Sequence, residues 1–478
     1  MSNFANAFKA NASMTTTENG GLAFKATGGG ALLDLFAKIG GMRDRNIGDV
    51  ISDWKRARSE EPTLADNLVL YSRDIRNAGL GERKIGRALL RELALIDGDK
   101  VARNLEKIVD VGRYDDLFVL LDTPIADAVY QFIWEQLQKD MNGAAQNAPI
   151  SILAKWMPSI NTSSAKTRAL GFKFCKAYGL KKRTYRKALS KLRRYLNVVE
   201  TLMSNGEWDK INFEAVPSVA MNRYIKTYNE KCGQRFAEYK AAVKAGTAKV
   251  NAGALYPYDI VNHYFNGGLD AMDEEQWKSL PNFVDGEYDV VVMADVSESM
   301  WGRPIESSIG LATYFAQRNK GAYHGMYMSF TDEPHFICLN DEWSLNDCIN
   351  YAVKHGVGYN TNLDRAFEAI YDTAVRCGEA PRALVVISDG EFDHYATSGD
   401  SIAEKWNKKF RAAGFDPVKV ISWNAECRND NLMGRSTDNI AFVSGQGAGP
   451  FKNLLDLIEN NAYDSMVKIL SNPVFCWD

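Results

Sequence analysis

The sequence predicts two regions of different fold class: an α-helical repeat region in the first half of the chain, and an α/β region with a doubly wound sheet after it. Between residues 31 and 250, apolar side chains recur at helical spacing, in segments that short glycine-containing turns separate. From Tyr288 onward, short apolar runs alternate with amphipathic segments, which is typical of buried strands connected by helices. The chain of 478 residues is also longer than one hydrophobic core usually supports.

Changes in composition divide the chain into four segments. The N-terminal segment is rich in Asn, Ala, Thr and Gly, and prolines, glycines and acidic residues are frequent just before Tyr288. The helical segment shows no strict sequence period, so stacked helical pairs are a hypothesis. We therefore predict a flexible or extended segment at 1–30, a helical-repeat domain at 31–250, a linker region at 251–287 and an α/β domain at 288–478.

The α/β domain is predicted from five apolar runs and the helical patterns between them. The runs are short, rich in β-branched residues and bounded by turn residues, as strands of a parallel sheet are. The predicted strands are 288–295, 323–330, 383–389, 417–423 and 440–444, and the predicted helices lie near 304–318, 362–376, 402–413 and 450–460.

Oxygen-bearing side chains follow two of these strands. Asp295, Ser297 and Ser299 come at the end of the first strand, Thr361 precedes a helical pattern, and Asp389 ends a later strand. Ligands bind at the carboxyl edge of an open α/β sheet, so these side chains are expected to meet there. Carboxylate and hydroxyl oxygens suit a hard divalent cation, and we predict Mg²⁺ or Mn²⁺ as the cofactor.

A second candidate site is basic. Between Lys166 and Val250 there are 20 Lys and Arg but 6 Asp and Glu, although the whole chain has a net charge of −3. The segment 181–196 is predicted to be a helix with an apolar stripe and a dense strip of cations, which is typical of a phosphate-binding face. The candidate nucleic-acid-binding residues are Lys181, Lys182, Arg183, Arg186, Lys187, Lys191, Arg193 and Arg194.

Two tyrosines of the same helix have two interpretations. Tyr185 and Tyr195 would stack bases if they were exposed, as aromatic side chains do in proteins that bind single strands. Core packing is the interpretation that we favour.

The metal-ligand pattern resembles the metal-ion-dependent adhesion site of von Willebrand factor A domains. That family has Asp-x-Ser-x-Ser, a distant Thr and a distant Asp, which here are Asp295, Ser297, Ser299, Thr361 and Asp389. The resemblance implies a bound ion with an open coordination position for a carboxylate of a partner protein. Glu298 stands where the family usually has Gly, and the sequence leaves open whether this side chain blocks the open position.

A helical region followed by an A domain also resembles the TROVE-domain proteins, the Ro autoantigen family. The segment 71–83, Tyr-Ser-Arg-Asp-Ile-Arg-Asn-Ala-Gly-Leu-Gly-Glu-Arg, is similar to one in that family's helical domain. The segments 111–117 and 216–220 are similar to a related group of uncharacterised A-domain proteins. The resemblance implies a ring of HEAT-like helical pairs, closed by the A domain, with small non-coding RNA on its basic outer surface and single-stranded RNA ends in its central hole.

The charged residues of segment 71–83 have two interpretations. One is an intramolecular ion-pair network that holds the turn at Gly79–Gly81, which we favour, and the other is contact with RNA. The residues concerned are Arg73, Asp74, Arg76, Glu82 and Arg83.

Three functions remain open from the sequence. The first is a Ro-like protein that binds structured or single-stranded RNA, with a Mg²⁺-dependent A domain. The second is a protein-interaction adaptor whose A domain binds a partner carboxylate through the metal. The third is a single-stranded DNA-binding protein acting in transcription or replication, because backbone charge and base stacking are common to both nucleic acids.

Other classes of protein are not favoured. We expect no enzyme, because the sequence has no P-loop and no constellation of a nucleophile with a base. No apolar run is long enough to span a bilayer, and the N-terminus lacks the pattern of a signal peptide. The seven cysteines form no Cys-x-x-Cys pair. We therefore expect a cytoplasmic protein without membrane partners.

Overall fold

The computed structural model describes residues 14–18, 20–331, 333–356, 362–391, 396–397 and 400–478. Its contacts divide the chain into two compact units. The sheet unit comprises the described part of Met1–Gly86 together with Val250–Cys476, and the helical unit comprises Arg87–Lys249 with Trp477–Asp478. The cut between Lys249 and Val250 lies within one residue of the predicted end of the helical domain at 250, whereas the helical unit begins at Arg87 and not at 31, because the described residues up to Gly86 pack in the same unit as the sheet.

The sheet unit contains a six-stranded, mostly parallel sheet, which confirms the predicted α/β class. Along the sheet the strands run in the order β10 (Ile440–Ser444), β9 (Lys419–Asn424), β6 (Ala383–Ser388), β3 (Val290–Asp295), β4 (Met326–Phe330) and β5 (Phe336–Cys338). Only the β4–β5 pair is antiparallel. Strands β3, β4, β6 and β9 begin within three residues of their predicted starts, and β10 has the predicted bounds. Strand β5 was not predicted.

Burial explains why these runs are almost wholly apolar. Every residue of β3, β6 and β10 is buried, so neither side of these strands faces water. Two short antiparallel strand pairs lie outside this sheet. The described helices of the unit lie before, between and after the strands along the chain. The hairpin strands are β1 Met14–Thr16 with β2 Leu22–Phe24, and β7 Ala396–Thr397 with β8 Asp400–Ser401. The helices, in chain order, are Ala31–Phe36, Ile47–Glu60, Pro62–Arg73, Pro257–Phe265, Ala271–Lys278, Arg303–Arg318, Leu345–Gly356, Leu363–Cys377, Ile402–Ala412, Leu454–Glu459 and Ala462–Leu470.

The region predicted as a linker, 251–287, carries two of these helices. Pro257 stands at the first position of its helix, where a missing N–H costs nothing, and Asp270 caps the next helix by accepting from Met272 N at 2.8 Å. The indole of Trp277 is buried and donates to Gln317 Oε1 at 2.7 Å. The proline and acidic residues that suggested a linker are therefore helix-start signals.

The N-terminal hairpin joins the same unit. Phe24 is buried and pairs with Leu432, each donating its backbone N–H to the other's carbonyl, at 3.2 and 2.9 Å. Residues 1–30 were predicted to be flexible or extended, and the described part of this segment contains the extended strands β1 and β2.

The helical unit is built from the predicted helices, which confirms the helical character of this region. Helix Arg83–Ile96 carries the chain from the sheet unit into it. The ring of HEAT-like pairs stays a prediction. The further helices are Gly98–Arg103, Leu105–Val111, Ala126–Ala145, Leu153–Trp156, Ala165–Ala177, Lys182–Tyr195, Val199–Ser204 and Ser218–Lys244, the last with non-helical backbone at Cys232. Among the described residues, none of the helices combines the length and apolar character needed to cross a bilayer.

The turn at Gly79–Gly81 yields a stability prediction. Gly81 has a φ of +70°, and a Cβ added there would lie 1.7 Å from the hydroxyl oxygen of Tyr256. Gly378 has a similar φ of +80° with no atom within 4 Å of such a Cβ. Both Gly→Ala variants carry the left-handed backbone strain, roughly 1–2 kcal/mol. We expect Gly81→Ala to lower the free energy of unfolding clearly more than Gly378→Ala in denaturant titrations of the full chain, and equal losses would contradict the steric argument.

Candidate metal centre and nucleic-acid interface

Asp295 is the centre of the polar cluster at the carboxyl edge of the sheet. It ends β3 and is buried, and both of its carboxylate oxygens accept hydrogen bonds. The backbone N–H of Ser297 donates to Oδ1 at 3.0 Å, and the hydroxyl of Ser388 donates to Oδ2 at 2.5 Å. The hydroxyl oxygens of Ser297 and Ser299 lie 3.1 Å apart. Two of the predicted hydroxyl ligands therefore converge beside the predicted carboxylate.

Asp389 follows β6, the strand that pairs with β3, so both carboxylates lie at the same edge of the sheet. Its Oδ1 accepts from the backbone N–H of Glu391 at 3.0 Å. Burial, and then the negative charge of Asp389, raise the pKa of Asp295 to about 7. A buried carboxylate beside a second negative charge favours a cation or a proton near it.

The remaining parts of the predicted site are less complete. Thr361 lies outside the described residues. Glu298 is exposed beside these residues. Within the described residues, no group of three or more His, Cys, Asp or Glu is arranged to hold a metal. A cation at this edge would thus depend on two carboxylates and on hydroxyl oxygens.

Arg428 is the member of this cluster that the sequence analysis missed. It lies in the segment between β9 and β10, and its guanidinium forms an ion pair with Asp389. On its other side it approaches Glu18 at 3.8 Å. Asn429 donates to both Glu18 and Glu391 at 3.0 Å, and Glu391 accepts from the backbone N–H of Glu18 at 2.7 Å. Asp389 therefore has a cationic partner from within the chain, which only the fold brings to it.

The basic helix Lys182–Tyr195 has the two faces that the sequence predicts. Tyr185, Leu189 and Leu192 are buried. Within the described residues, the exposed cations form no ion pair with a carboxylate. They are Lys181, Lys182, Arg183, Arg186, Lys187, Lys191 and Arg194, and we call these seven side chains the basic strip.

Arg193 was predicted to belong to this set, and the structure corrects this. Its guanidinium is turned into the helical unit, where it donates to the carbonyls of Ala154 and Met157 and to the hydroxyl of Ser159, at 2.8, 2.6 and 2.7 Å. Burial lowers its pKa. The position explains this orientation, because Arg193 comes four residues after Leu189 and therefore lies on the buried side of the helix.

The two tyrosines also point inward, as favoured. The hydroxyl of Tyr185 donates to Pro158 O and that of Tyr195 to Ala148 O, both at 2.9 Å. These rings anchor the basic helix by its apolar side.

The charged segment 71–83 is a structural element of the sheet unit. The carboxylate of Asp74 accepts from the backbone N–H groups of Arg76 and Gly79 at 3.1 and 2.9 Å, which closes the turn. Glu82 is buried and forms an ion pair with Arg43 at 2.6 Å. These contacts fit the favoured interpretation of an intramolecular network.

Comparison with known proteins gives relatives without an assigned activity. Residues 173–291 match a family described as a domain of unknown function, DUF2828, and residues 289–470 match another, DUF7788. An uncharacterized protein of Acanthamoeba polyphaga mimivirus, L728, is 28% identical over 516 residues, covering 97% of this chain and 89% of that protein. The crystal structure of the Ro (RSR) protein of Deinococcus radiodurans is similar over 92% of each chain, with 13% identity and a TM-score of 0.38. A likeness of that extent does not establish a shared fold.

Adjacent arginines of the basic helix allow a matched test of this geometry. Arg193→Gln leaves buried carbonyls without their charged donor, so we expect it to lower the free energy of unfolding by at least about 1.5 kcal/mol. Arg194→Gln removes an exposed cation and should leave unfolding unchanged. Thermal and denaturant unfolding of both variants checks this, and equal stability of the two would place the Arg193 guanidinium in solvent.

Proposed function

We propose that this protein binds RNA, with the basic strip of the helical unit as its main contact surface. The observation that carries this proposal is the strip itself: seven exposed cations, at the surface of one helix and its start, without carboxylate partners among the described residues. Cations placed to stabilise a fold are paired, as Arg43 and Arg87 are here. Unpaired cations in one row bind phosphates by releasing the counterions of a nucleic acid.

The choice of RNA rests on the resemblance to the Ro autoantigen family, because backbone charge alone does not distinguish RNA from DNA. Contacts to the 2′-hydroxyl do. A single-stranded DNA-binding protein is thus the closest alternative. Binding of RNA and DNA oligonucleotides of the same sequence, at the same salt concentration, decides between the two.

The first experiment compares two triple variants that change net charge equally. Arg183, Lys187 and Arg194 belong to the strip, whereas Lys320, Lys354 and Lys452 are exposed residues of the sheet unit. Changing the strip residues to Gln should weaken binding and reduce the slope of log K against log salt by about 0.7 for each lost contact with a single strand.

The matched triple variant in the sheet unit controls for net charge and should keep the wild-type slope. Fluorescence anisotropy over a series of salt concentrations measures both. Equal effects of the two triple variants would remove the strip as the binding face.

A second candidate function, a protein-interaction adaptor, is favoured by the polar cluster at the sheet edge. The residues fit a divalent cation in chemistry: two carboxylates whose mutual repulsion a cation relieves, and two hydroxyl oxygens that converge. Asp295, Ser297, Ser299 and Asp389 would hold the ion. When bound, Mg²⁺ or Mn²⁺ would supply an open coordination position to a partner's carboxylate.

Arg428 bears directly on this candidate. Its guanidinium neutralises Asp389, so the carboxylate is available to a cation only when this ion pair opens. The segment that carries Arg428 also holds Glu18 and Glu391 through Asn429. Affinity for a divalent cation should therefore be set by competition with this side chain.

Calorimetric titration with Mg²⁺ and Mn²⁺ tests the metal proposal on the wild type, Asp295→Ala, Arg428→Gln and Arg411→Gln. We expect Asp295→Ala to abolish binding and Arg428→Gln to strengthen it, because no guanidinium competes for Asp389. Arg411 pairs with Glu404 on the surface of the same unit and serves as the charge control, with wild-type affinity. Absence of binding in both the wild type and Arg428→Gln would refute the metal site.

We propose no catalytic activity for either site. The seven cysteines are free, which fits the predicted cytoplasmic location. That location stays a prediction.

A further inference from the structure

Phe172 is an exposed aromatic side chain beside the basic strip. It lies on helix Ala165–Ala177, and 38% of its surface is exposed, which makes it the one exposed aromatic residue among the described residues of the helical unit. The ammonium of Lys182, the first residue of the basic helix, lies 4.4 Å from the centroid of its ring. The ring is therefore part of the same surface as the strip.

The charges around this ring are of one sign. Lys173 and Lys176 are exposed on the same helix, and Lys176 lies one turn from Phe172 on the same face. No Asp or Glu occurs anywhere between Asp140 and Glu200, a stretch that includes both helices. The two helices therefore combine an aromatic ring with cations and contain no carboxylate of their own.

A single exposed apolar residue is ordinary on a protein surface. Phe172 differs from an ordinary exposed apolar residue because cations surround it. Proteins that bind single-stranded nucleic acid combine a basic surface along the backbone with aromatic rings on which bases stack. A duplex keeps its bases paired inside and offers phosphates alone, and an acidic peptide likewise needs only the cations. Of these three ligands, only a single strand offers unpaired bases that can stack on the exposed ring.

We propose that Phe172 is a base-stacking position and that the surrounding basic surface therefore prefers single-stranded nucleic acid to duplex. The proposal rests on the nucleic-acid binding proposed above and specifies its substrate. Lys182 covers one face of the ring by a cation–π contact, and the unpaired base takes the other face. Tyr185 is buried and offers no ring face to a base, and Tyr195 is partly buried with its hydroxyl bonded to Ala148 O, so Phe172 is the more exposed ring.

The test uses the full chain with a labelled RNA oligonucleotide, both as a single strand and annealed to its complement. Phe172→Ala should weaken binding of the single strand by about five-fold to a hundred-fold, the effect of losing one stacked base, and leave duplex affinity and the salt slope unchanged. Phe172→Leu should behave like the alanine variant, because it keeps apolar bulk without the π face. Phe172→Trp should retain affinity, and its fluorescence should be quenched by the single strand alone.

Leu95→Ala is the matched control, since Leu95 is 45% exposed in the same unit and should have no effect on binding. If the wild type binds neither form of RNA nor the DNA equivalents, the proposed function fails. If the wild type binds but Phe172→Ala and Phe172→Leu match it, the stacking inference fails and the proposed function stands. An equal loss for single strand and duplex would also overturn the inference, because a stacking position acts on unpaired bases only.

Discussion

The carboxyl edge of the sheet is governed by the burial of two carboxylates, Asp295 and Asp389. Asp295 ends β3, and Asp389 directly follows β6. Because these two parallel strands are neighbours, both residues lie at the same edge of the sheet and are buried there. A buried charge without a partner is strongly destabilising, so the surrounding chain must supply partners. Ser388 donates to one carboxylate, Arg428 pairs with the other, and the N-terminal residue Glu18 binds the segment that carries Arg428. The position of the N-terminal segment and of the β9–β10 connection thus follows in part from the need to neutralise this edge.

Other contacts hold the described residues up to Gly86 in the same unit as the sheet. Phe24 pairs with Leu432, and Gly40 N donates to the hydroxyl of the strand residue Ser444 at 2.9 Å. Arg43 forms an ion pair with Glu82, and in the turn beside Glu82 the backbone of Gly81 packs closely against the Tyr256 side chain. These polar contacts and this close packing hold segments far apart in sequence in one unit, so the helical unit begins at Arg87 and not at the position 31 that composition suggested, although its end at Lys249 agrees with the prediction.

The sequence predicts well what depends on local pattern. Side-chain periodicity predicts the apolar strands and the buried stripe of Tyr185, Leu189 and Leu192. It predicts poorly what depends on distant partners. Arg428 has no local signal that connects it to Asp389, 39 residues away. Arg193 was grouped with the exposed cations from the sequence, although it follows Leu189 by four residues, and only the carbonyls of Ala154 and Met157 show why a cation is held on the inner face.

One physical distinction therefore separates the charges that hold the fold from those proposed to bind a ligand. Arg43, Arg193 and Arg428 are each bonded to a specific acceptor, so their charge is already used to hold the fold. The basic strip is exposed and without carboxylate partners in the described residues, and it follows a stretch of chain without acids. Seven like charges on one surface repel one another and destabilise the folded chain at low salt. That cost is offset when a polyanion neutralises the strip, so binding and stability should be coupled at this surface. The Asp295–Asp389 edge is the opposite case, because its charge is offset within the chain and a cation must displace Arg428 to reach it.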